Sequence, residues 1–227
     1  MNMISVKTVL VKRGYGIMTC MEMIIYIAIV ITLILLSVTL HEAMHAYTSH
    51  WLGDDTAFHS GRLTLNPLAH IDPFMSVLLP VFLALVGAPI FGGAKPVPYN
   101  PYRLKYGDWG QALVAVAGPL TNLVLAIVAG IWLRFVDFPT VLDTVIRLFV
   151  QINLGFFIFN MLPFPPLDGS RLLYAVVPNS GKEILRGLER QGIIVIFAIV
   201  LLFNSFLITL ITSLLLPLFR IITGTGL

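Results

Sequence analysis

The sequence predicts an all-α protein that crosses a membrane several times, and three observations predict it. Of the 227 residues, 58% are hydrophobic and 11% are charged, whereas soluble domains carry about 25% charged residues. The mean hydropathy is +0.93. An apolar run from Ile24 to Leu40 is long enough to enter a bilayer. We expect a multi-pass transmembrane helical bundle with a small membrane-associated hairpin or re-entrant segment.

The first helix is predicted from Met23 to Trp51. Residues 1–23 precede it as an N-terminal extension or as the start of a signal-anchor, with Lys7, Lys12 and Arg13 among them. A cleaved signal peptide is not expected, because cleavage would remove the polar cluster at the end of the apolar run. Cys20 is the single cysteine, which excludes an internal disulfide and a cysteine-rich zinc site.

The stretch after the first helix is polar at first and then apolar but broken. Residues 53–73 contain turn-forming Gly, Asn, Asp and Pro residues, and Thr56 to Leu65 is predicted as a short strand or hairpin. Residues 74–91 are apolar and are interrupted by two prolines and a glycine. We therefore expect this second stretch to be re-entrant or kinked.

The remaining elements are separated by proline and charge. Prolines 163, 165 and 166 end the fourth apolar helix, because proline lacks the backbone donor and clashes with the preceding turn. Residues 192–222 are too long for one simple span, so they bend near Asn204 or form two segments. The predicted elements are helices at Trp109–Val136, Thr140–Leu162 and Pro166–Val177, and a charged loop at 182–190. The domains are predicted as 1–23, a core at 24–178, and a C-terminal loop with membrane segments at 179–227.

Two histidines and a carboxylate form a cluster at the end of the first apolar run. Positions four apart lie on one face of a helix, so His41 and His45 can bind one metal ion. Glu42 lies beside them as a general base, which is the HExxH pattern of zinc hydrolases. Ionisable groups at membrane depth are costly, and this favours a functional site. The alternative is a helical histidine pair on a polar rim.

Asp168 is the candidate third ligand. It follows the proline-broken end of a membrane helix, and irregular backbone at that depth is tolerated where it is buried or lines a wet cavity. Three protein ligands leave the fourth zinc position open, which is typical of a catalytic site. The alternative is an aspartate that caps the short helix after Pro166.

The chain resembles the site-2 protease family of intramembrane zinc metalloproteases, in a compact form without a PDZ or CBS domain. The resemblance covers residues 24–178 and implies one zinc ion bound by His41, His45 and Asp168, a catalytic Glu42 and a role for Asn160 near the site. It rests on four segments: His41-Glu42-x-x-His45, Gly61 to Pro73, Ala117-Gly118-Pro119-Leu120-Thr121-Asn122, and Asn160-x-x-Pro163-x-Pro165-Pro166-Leu167-Asp168-Gly169.

The implied activity is hydrolysis of peptide bonds in membrane-spanning proteins, as in regulated intramembrane proteolysis. Glu42 would take a proton from water and deliver it to the leaving amine, and Asn160 is a candidate contact to the oxyanion or the substrate. A strand edge at 56–66 could bind an unwound substrate by strand addition, although an ordinary surface loop is the alternative. The candidate substrate-binding residues are Asn122, Arg62, Leu63 and Thr64.

The expected partners are a transmembrane protein or peptide substrate and the lipid bilayer, with no nucleic acid. One alternative is a catalytically silent homologue that binds membrane proteins, against which the intact Glu42 argues. Another is a metal transporter, which should show further midplane ligands and repeated halves. His50, His59 and His70 are expected to be polar groups of loops or the interface.

Parity predicts the topology. Both metal motifs end their helices and must meet at one depth, so the chain crosses the membrane an even number of times between them. The helices at 109–136 and 140–162 supply two crossings, which requires that residues 74–91 do not span. Basic residues are more frequent on the motif side, and this predicts a cell-membrane protein with its site nearer the cytoplasm.

Overall fold

The computed structural model describes residues 20–73, 78 and 93–226. This part of the chain consists of helices and connecting loops and contains no strand, so the predicted all-α class is confirmed. The helices are α1 (Cys20–Trp51), α2 (Thr56–His59), α3 (Pro67–His70), α4 (Asp108–Phe135), α5 (Thr140–Asn160), α6 (Gly169–Val176), α7 (Asn179–Arg190), α8 (Gly192–Leu202) and α9 (Asn204–Thr223).

Four of these helices are long and apolar enough to cross a membrane. They are Met21–Trp51 within α1, then α4, α5 and α9. Their packing uses small residues that let the backbones approach: a Cβ atom on Gly130 of α4 would lie 2.2 Å from Ile222 of α9. The buried cluster between α4, α5 and α9 comprises Ala126, Ala129, Leu133, Val150, Leu154 and Phe219.

Helices α1 and α4 run antiparallel, and this arrangement positions the site. Beyond the end of α1, the Lys105 amide donates to Leu52 at 2.9 Å just before α4 begins. Further along, His45 contacts Val114 and His41 contacts Asn122. Falling residue numbers on α1 therefore match rising numbers on α4. The histidines of α1 face the first half of α4.

The strand predicted at Thr56–Leu65 is wrong. The segment begins with the short helix α2 and continues through turns. The reason is local hydrogen bonding: the fully buried Asp54 carboxylate accepts from the Thr56 backbone at 3.2 Å and from its hydroxyl at 2.6 Å. Aspartate bonds of this kind favour turns and helix starts over extended backbone.

The charged loop predicted at 182–190 is also wrong, because these residues belong to α7. Its polar groups pair with the rest of the protein: Lys182 lies 2.6 Å from Asp108, and Arg171 of α6 pairs with Glu189. Residues 192–222 form two helices, which separate at Phe203. Of these two, only α9 is long enough to span.

The predicted re-entrant segment at 74–91 lies outside the described residues apart from Leu78, as does most of the predicted extension at 1–23. The described residues on either side of this segment show where its two ends lie. The Lys95 amide donates to the His70 carbonyl at 2.9 Å. Both ends of the connecting chain therefore lie at the same place, next to the end of α1.

Candidate metal centre

His41, His45 and Asp168 lie close together in the structure. The two histidines are buried, and their ring centroids lie 4.7 Å apart on one face of α1. The Asp168 Oδ2 atom lies 3.2 Å from His41 Nε2 and 3.5 Å from His45 Nε2. These three ligand candidates come from distant parts of the chain, and the fold brings them to one point.

The position of Asp168 excludes a helix-capping role. Asp168 precedes α6, but its side chain makes no capping hydrogen bond and turns to the histidines instead. The next residue allows this loop to fold against the end of α5, since a Cβ atom on Gly169 would lie 2.3 Å from the Met161 carbonyl oxygen.

Hydrogen bonds at Nδ1 leave both Nε2 atoms directed at Asp168. His45 Nδ1 donates to the Val114 carbonyl at 2.7 Å, and His41 Nδ1 lies 2.6 Å from Asn122 Oδ1. A histidine that donates through Nδ1 presents its Nε2 lone pair to a metal, and such outer partners fix the ring orientation of metal ligands. The ligand atoms of both histidines are therefore oriented by α4.

Gly118 keeps the space in front of both nitrogens open. A Cβ atom at this position would lie 2.5 Å from His45 Nε2 and 2.6 Å from His41 Nε2. Only glycine permits the backbone of α4 to approach the histidines so closely. The next residue, Pro119, lies inside the same helix and has no backbone donor.

These residues fit a zinc ion. Zinc binds histidine nitrogen and carboxylate oxygen at about 2.0–2.2 Å, so neighbouring ligands of a tetrahedral site lie about 3.3 Å apart. The contacts of 3.2 and 3.5 Å from Asp168 to the histidines match this separation. The ligand atoms of His41, Glu42 and His45 also lie within 4.8 Å of one another. Glu42 is half-buried, whereas the two histidines are buried.

Asn160, Arg62, Leu63 and Thr64 make no described contact with the ligands of this centre. The Asn160 amide nitrogen donates to Phe156 in its own helix at 3.0 Å. Arg62 is buried and donates to the Ala69 carbonyl, and Leu63 packs against the cluster of Ala46, Ala57 and Val97. The Thr64 hydroxyl accepts from the Asn66 amide, and its carbonyl accepts from His70. The predicted substrate contacts of Arg62, Leu63 and Thr64 and the catalytic role of Asn160 stay predictions.

Asn122 has partners that its prediction as a substrate-binding residue did not include. It is fully buried and contacts His41 and Asn153. The leftover histidines lie at the C-terminal ends of α1, α2 and α3, where His50 pairs with Asp55 at 2.6 Å. Sequence reasoning missed the roles of Val114, Gly118 and Asn153. The Gly-Pro pair inside an apolar helix was a signal for Gly118. Val114 acts through its backbone carbonyl, and nothing in the sequence marks such a carbonyl as a histidine partner.

The sequence of this chain is similar to those of several known proteins. Three relatives are each named "Putative zinc metalloprotease". YwhC of Bacillus subtilis is 41% identical over 176 residues, which cover 74% of this chain and 77% of YwhC. The chain belongs to the site-2 protease family. The names of these relatives support a zinc metalloprotease function for this member of the family.

The two further relatives are longer than this chain. Rip2 of Mycolicibacterium smegmatis is 30% identical over 170 residues, covering 74% of the chain and 64% of Rip2. Rip2 of Mycobacterium tuberculosis H37Rv is 34% identical over 157 residues, covering 68% of the chain and 58% of Rip2. No family model and no solved structure matches the chain.

Proposed function

We propose that this site-2 protease homologue is an intramembrane zinc endopeptidase that cleaves membrane-spanning segments of other proteins. One observation carries the proposal. His41, Glu42 and His45 lie on a helix that is long and apolar enough to span a membrane, and Asp168 meets the two histidines there. A hydrolytic centre in that position has membrane-spanning polypeptides as its nearest substrates.

The depth of the centre supports this substrate class. His45 lies six residues before the end of α1, about 9 Å along the helix axis. Gly118 lies ten residues after the start of α4, about 15 Å along that axis. The hydrocarbon core of a bilayer is about 30 Å thick. The site is therefore recessed from the helix ends on one face of the bundle.

The residues divide the chemistry between them. His41, His45 and Asp168 would hold the zinc ion, which supplies a Lewis acid that polarises water and a peptide carbonyl when bound. Glu42 accepts a proton from the attacking water at its carboxylate and delivers it to the leaving amine nitrogen. Since the carbonyls of a membrane helix are already hydrogen-bonded, the substrate must unwind locally before its peptide bond can reach Glu42.

The distribution of charge supports a site nearer the cytoplasm. Of the eleven basic residues that the structure describes, eight lie on loops and helices at the site end of the bundle. Arg134, Arg147 and Arg220 lie at the other end, where Arg147 contacts Thr225 and Arg134 contacts Ile221. Cytoplasmic loops carry the excess of Lys and Arg in membrane proteins.

The test compares wild type with Glu42→Gln in liposomes that contain a total membrane-protein extract and zinc. New peptide termini are identified by mass spectrometry. Termini inside hydrophobic segments that appear only with the wild type support the proposal. Identical sets from both proteins would exclude a Glu42-dependent peptidase, and termini confined to soluble loops would exclude membrane-spanning segments as substrates. Bound zinc in Glu42→Gln, measured in parallel, shows that the metal centre is retained.

A further inference from the structure

Three helices share a chain of buried polar side chains that leads to one metal-ligand candidate. Ser37 on α1, Asn122 on α4 and Asn153 on α5 are each 0% exposed. Asn153 Nδ2 lies 2.9 Å from Ser37 Oγ, and Asn122 Nδ2 lies 2.8 Å from Asn153 Oδ1. Asn122 Oδ1 then lies 2.6 Å from His41 Nδ1. Polar groups buried between apolar helices are costly unless every one is bonded.

Backbone carbonyls fix the direction of every bond in this chain. The carbonyl of Phe149 can only accept, and Asn153 Nδ2 lies 2.9 Å from it. The amide of Asn153 must therefore present its nitrogen there and its oxygen to Asn122. The Ser37 hydroxyl donates to the Leu33 carbonyl at 2.8 Å, which leaves its oxygen as an acceptor for the same Asn153 nitrogen.

The direction continues to the histidine. Because Asn153 presents its oxygen, Asn122 must present its nitrogen to Asn153 and its oxygen to His41. An oxygen at this place requires a proton on His41 Nδ1, and the lone pair is then on Nε2, which faces Asp168. Rotating either amide by half a turn would set two acceptors or two donors against each other in a buried place.

We propose that Asn153 is a positioning residue for the metal ligand His41 and acts through the amide of Asn122. Asn153 has no described contact with His41, Glu42, His45 or Asp168. Its effect is to hold Asn122 in the orientation that keeps Nδ1 of His41 protonated and Nε2 available. This inference rests on the proposed metal site and adds a residue on a third helix to its construction.

The metal affinity of Asn153→Leu tests the proposal. Leucine has a similar volume but no hydrogen-bonding group, so the Asn122 amide nitrogen loses its bond of 2.8 Å to Asn153 and keeps only the longer contact of 3.4 Å to the Ser37 backbone carbonyl. Loss of outer partners weakens metal binding by 10- to 100-fold, and we expect a loss of about tenfold for this more distant residue. The dissociation constants for zinc and cobalt are measured on the whole protein in detergent by competition with a chelator, and the visible absorption bands of bound cobalt report the ligand geometry.

A second-site change distinguishes positioning from packing. In the double variant Asn153→Leu/Asn122→Asp, both oxygens of the new carboxylate accept hydrogen bonds, so the contact to His41 Nδ1 no longer depends on orientation by residue 153. We expect metal affinity and the cobalt spectrum to recover. The single variant Asn122→Asp gives the effect of the carboxylate itself, because a carboxylate partner raises the basicity of a metal-binding histidine. If Asn153 only packs the helices, Asn153→Leu weakens metal binding by the same factor in the Asn122→Asp background as in the wild type, and that result would overturn the proposal.

The control is Ser49→Ala. Ser49 is also 0% exposed on α1, and its hydroxyl donates to the Ala46 carbonyl at 2.9 Å, away from the chain. Its removal should leave metal affinity unchanged. Helix content and thermal unfolding of each metal-free variant are measured first, and Asn153→Ala replaces the leucine variant if that one does not fold. Wild-type affinity in a folded variant at 153 would overturn the positioning role alone, whereas a wild type that binds no metal would overturn the proposed function itself.

Discussion

Replacing Gly118 by alanine should separate metal binding from fold stability. A Cβ atom at this position would lie 2.5 and 2.6 Å from the two Nε2 atoms, and ordinary contacts begin at 3.4 Å. Each nitrogen must therefore move by about 0.8–0.9 Å, whereas a zinc site tolerates changes of about 0.2 Å. With two ligands displaced, we expect zinc affinity to fall at least 100-fold, about 2.8 kcal/mol.

The helix itself should tolerate this change or gain from it, because alanine is about 1 kcal/mol more favourable than glycine inside a helix. Gly155→Ala in α5 is the matched control, since no described atom lies within 4 Å of its added Cβ atom. Zinc affinity is measured by chelator competition, and helix content by circular dichroism in detergent. Wild-type zinc affinity in Gly118→Ala would refute the reasoning, because the histidine nitrogens could then not be the ligands.

Two further predictions concern topology and chemistry. Ser60 and Tyr102 are both exposed, and cysteines are placed at these positions in a Cys20→Ser background. Both cysteines should react with a membrane-impermeant reagent from the same side of the membrane, because the hydrogen bond between Lys95 and His70 joins the ends of the intervening segment. Labelling from opposite sides would mean that the segment spans the membrane. Asn160→Ala should lower kcat by about 100- to 1000-fold with zinc content unchanged if Asn160 is an oxyanion donor; an unchanged kcat would remove it from that role.

The membrane-spanning helices could be predicted because a helix that crosses a bilayer needs about 20 mostly apolar residues, and such runs are visible in the sequence. The ends of α1, α4 and α5 were predicted to within three residues. Short segments failed for the opposite reason. Thr56–Leu65 was predicted as a short strand or hairpin, but one buried carboxylate, Asp54, decides the backbone through hydrogen bonds that no periodicity reveals. The helix α7 was missed because its charged residues suggested a solvated loop, whereas they pair with groups on α4 and α6.

At the metal site, too, the residues with a recognisable sequence pattern could be predicted and the residues without one could not. The spacing of His41 and His45 predicts a shared ligand because four residues return to the same face of a helix. The carboxylate at 168 was found from a proline-broken helix end and a family motif, and the structure brings it to both histidines. The supports of the histidines could not be found in this way. Val114 acts through its backbone, and Asn153 acts through a second amide, so neither has a characteristic spacing from the residues it serves.

The central claim is that His41, His45 and Asp168 form one zinc site. X-ray absorption at the zinc edge, on purified protein with one equivalent of zinc, measures this most directly. We expect a four-coordinate ion with nitrogen and oxygen ligands at about 2.0–2.2 Å, two imidazoles, and one imidazole fewer in His41→Ala. A sulfur ligand, which only a cysteine or methionine could supply, or an unchanged imidazole count in His41→Ala, would contradict the assignment.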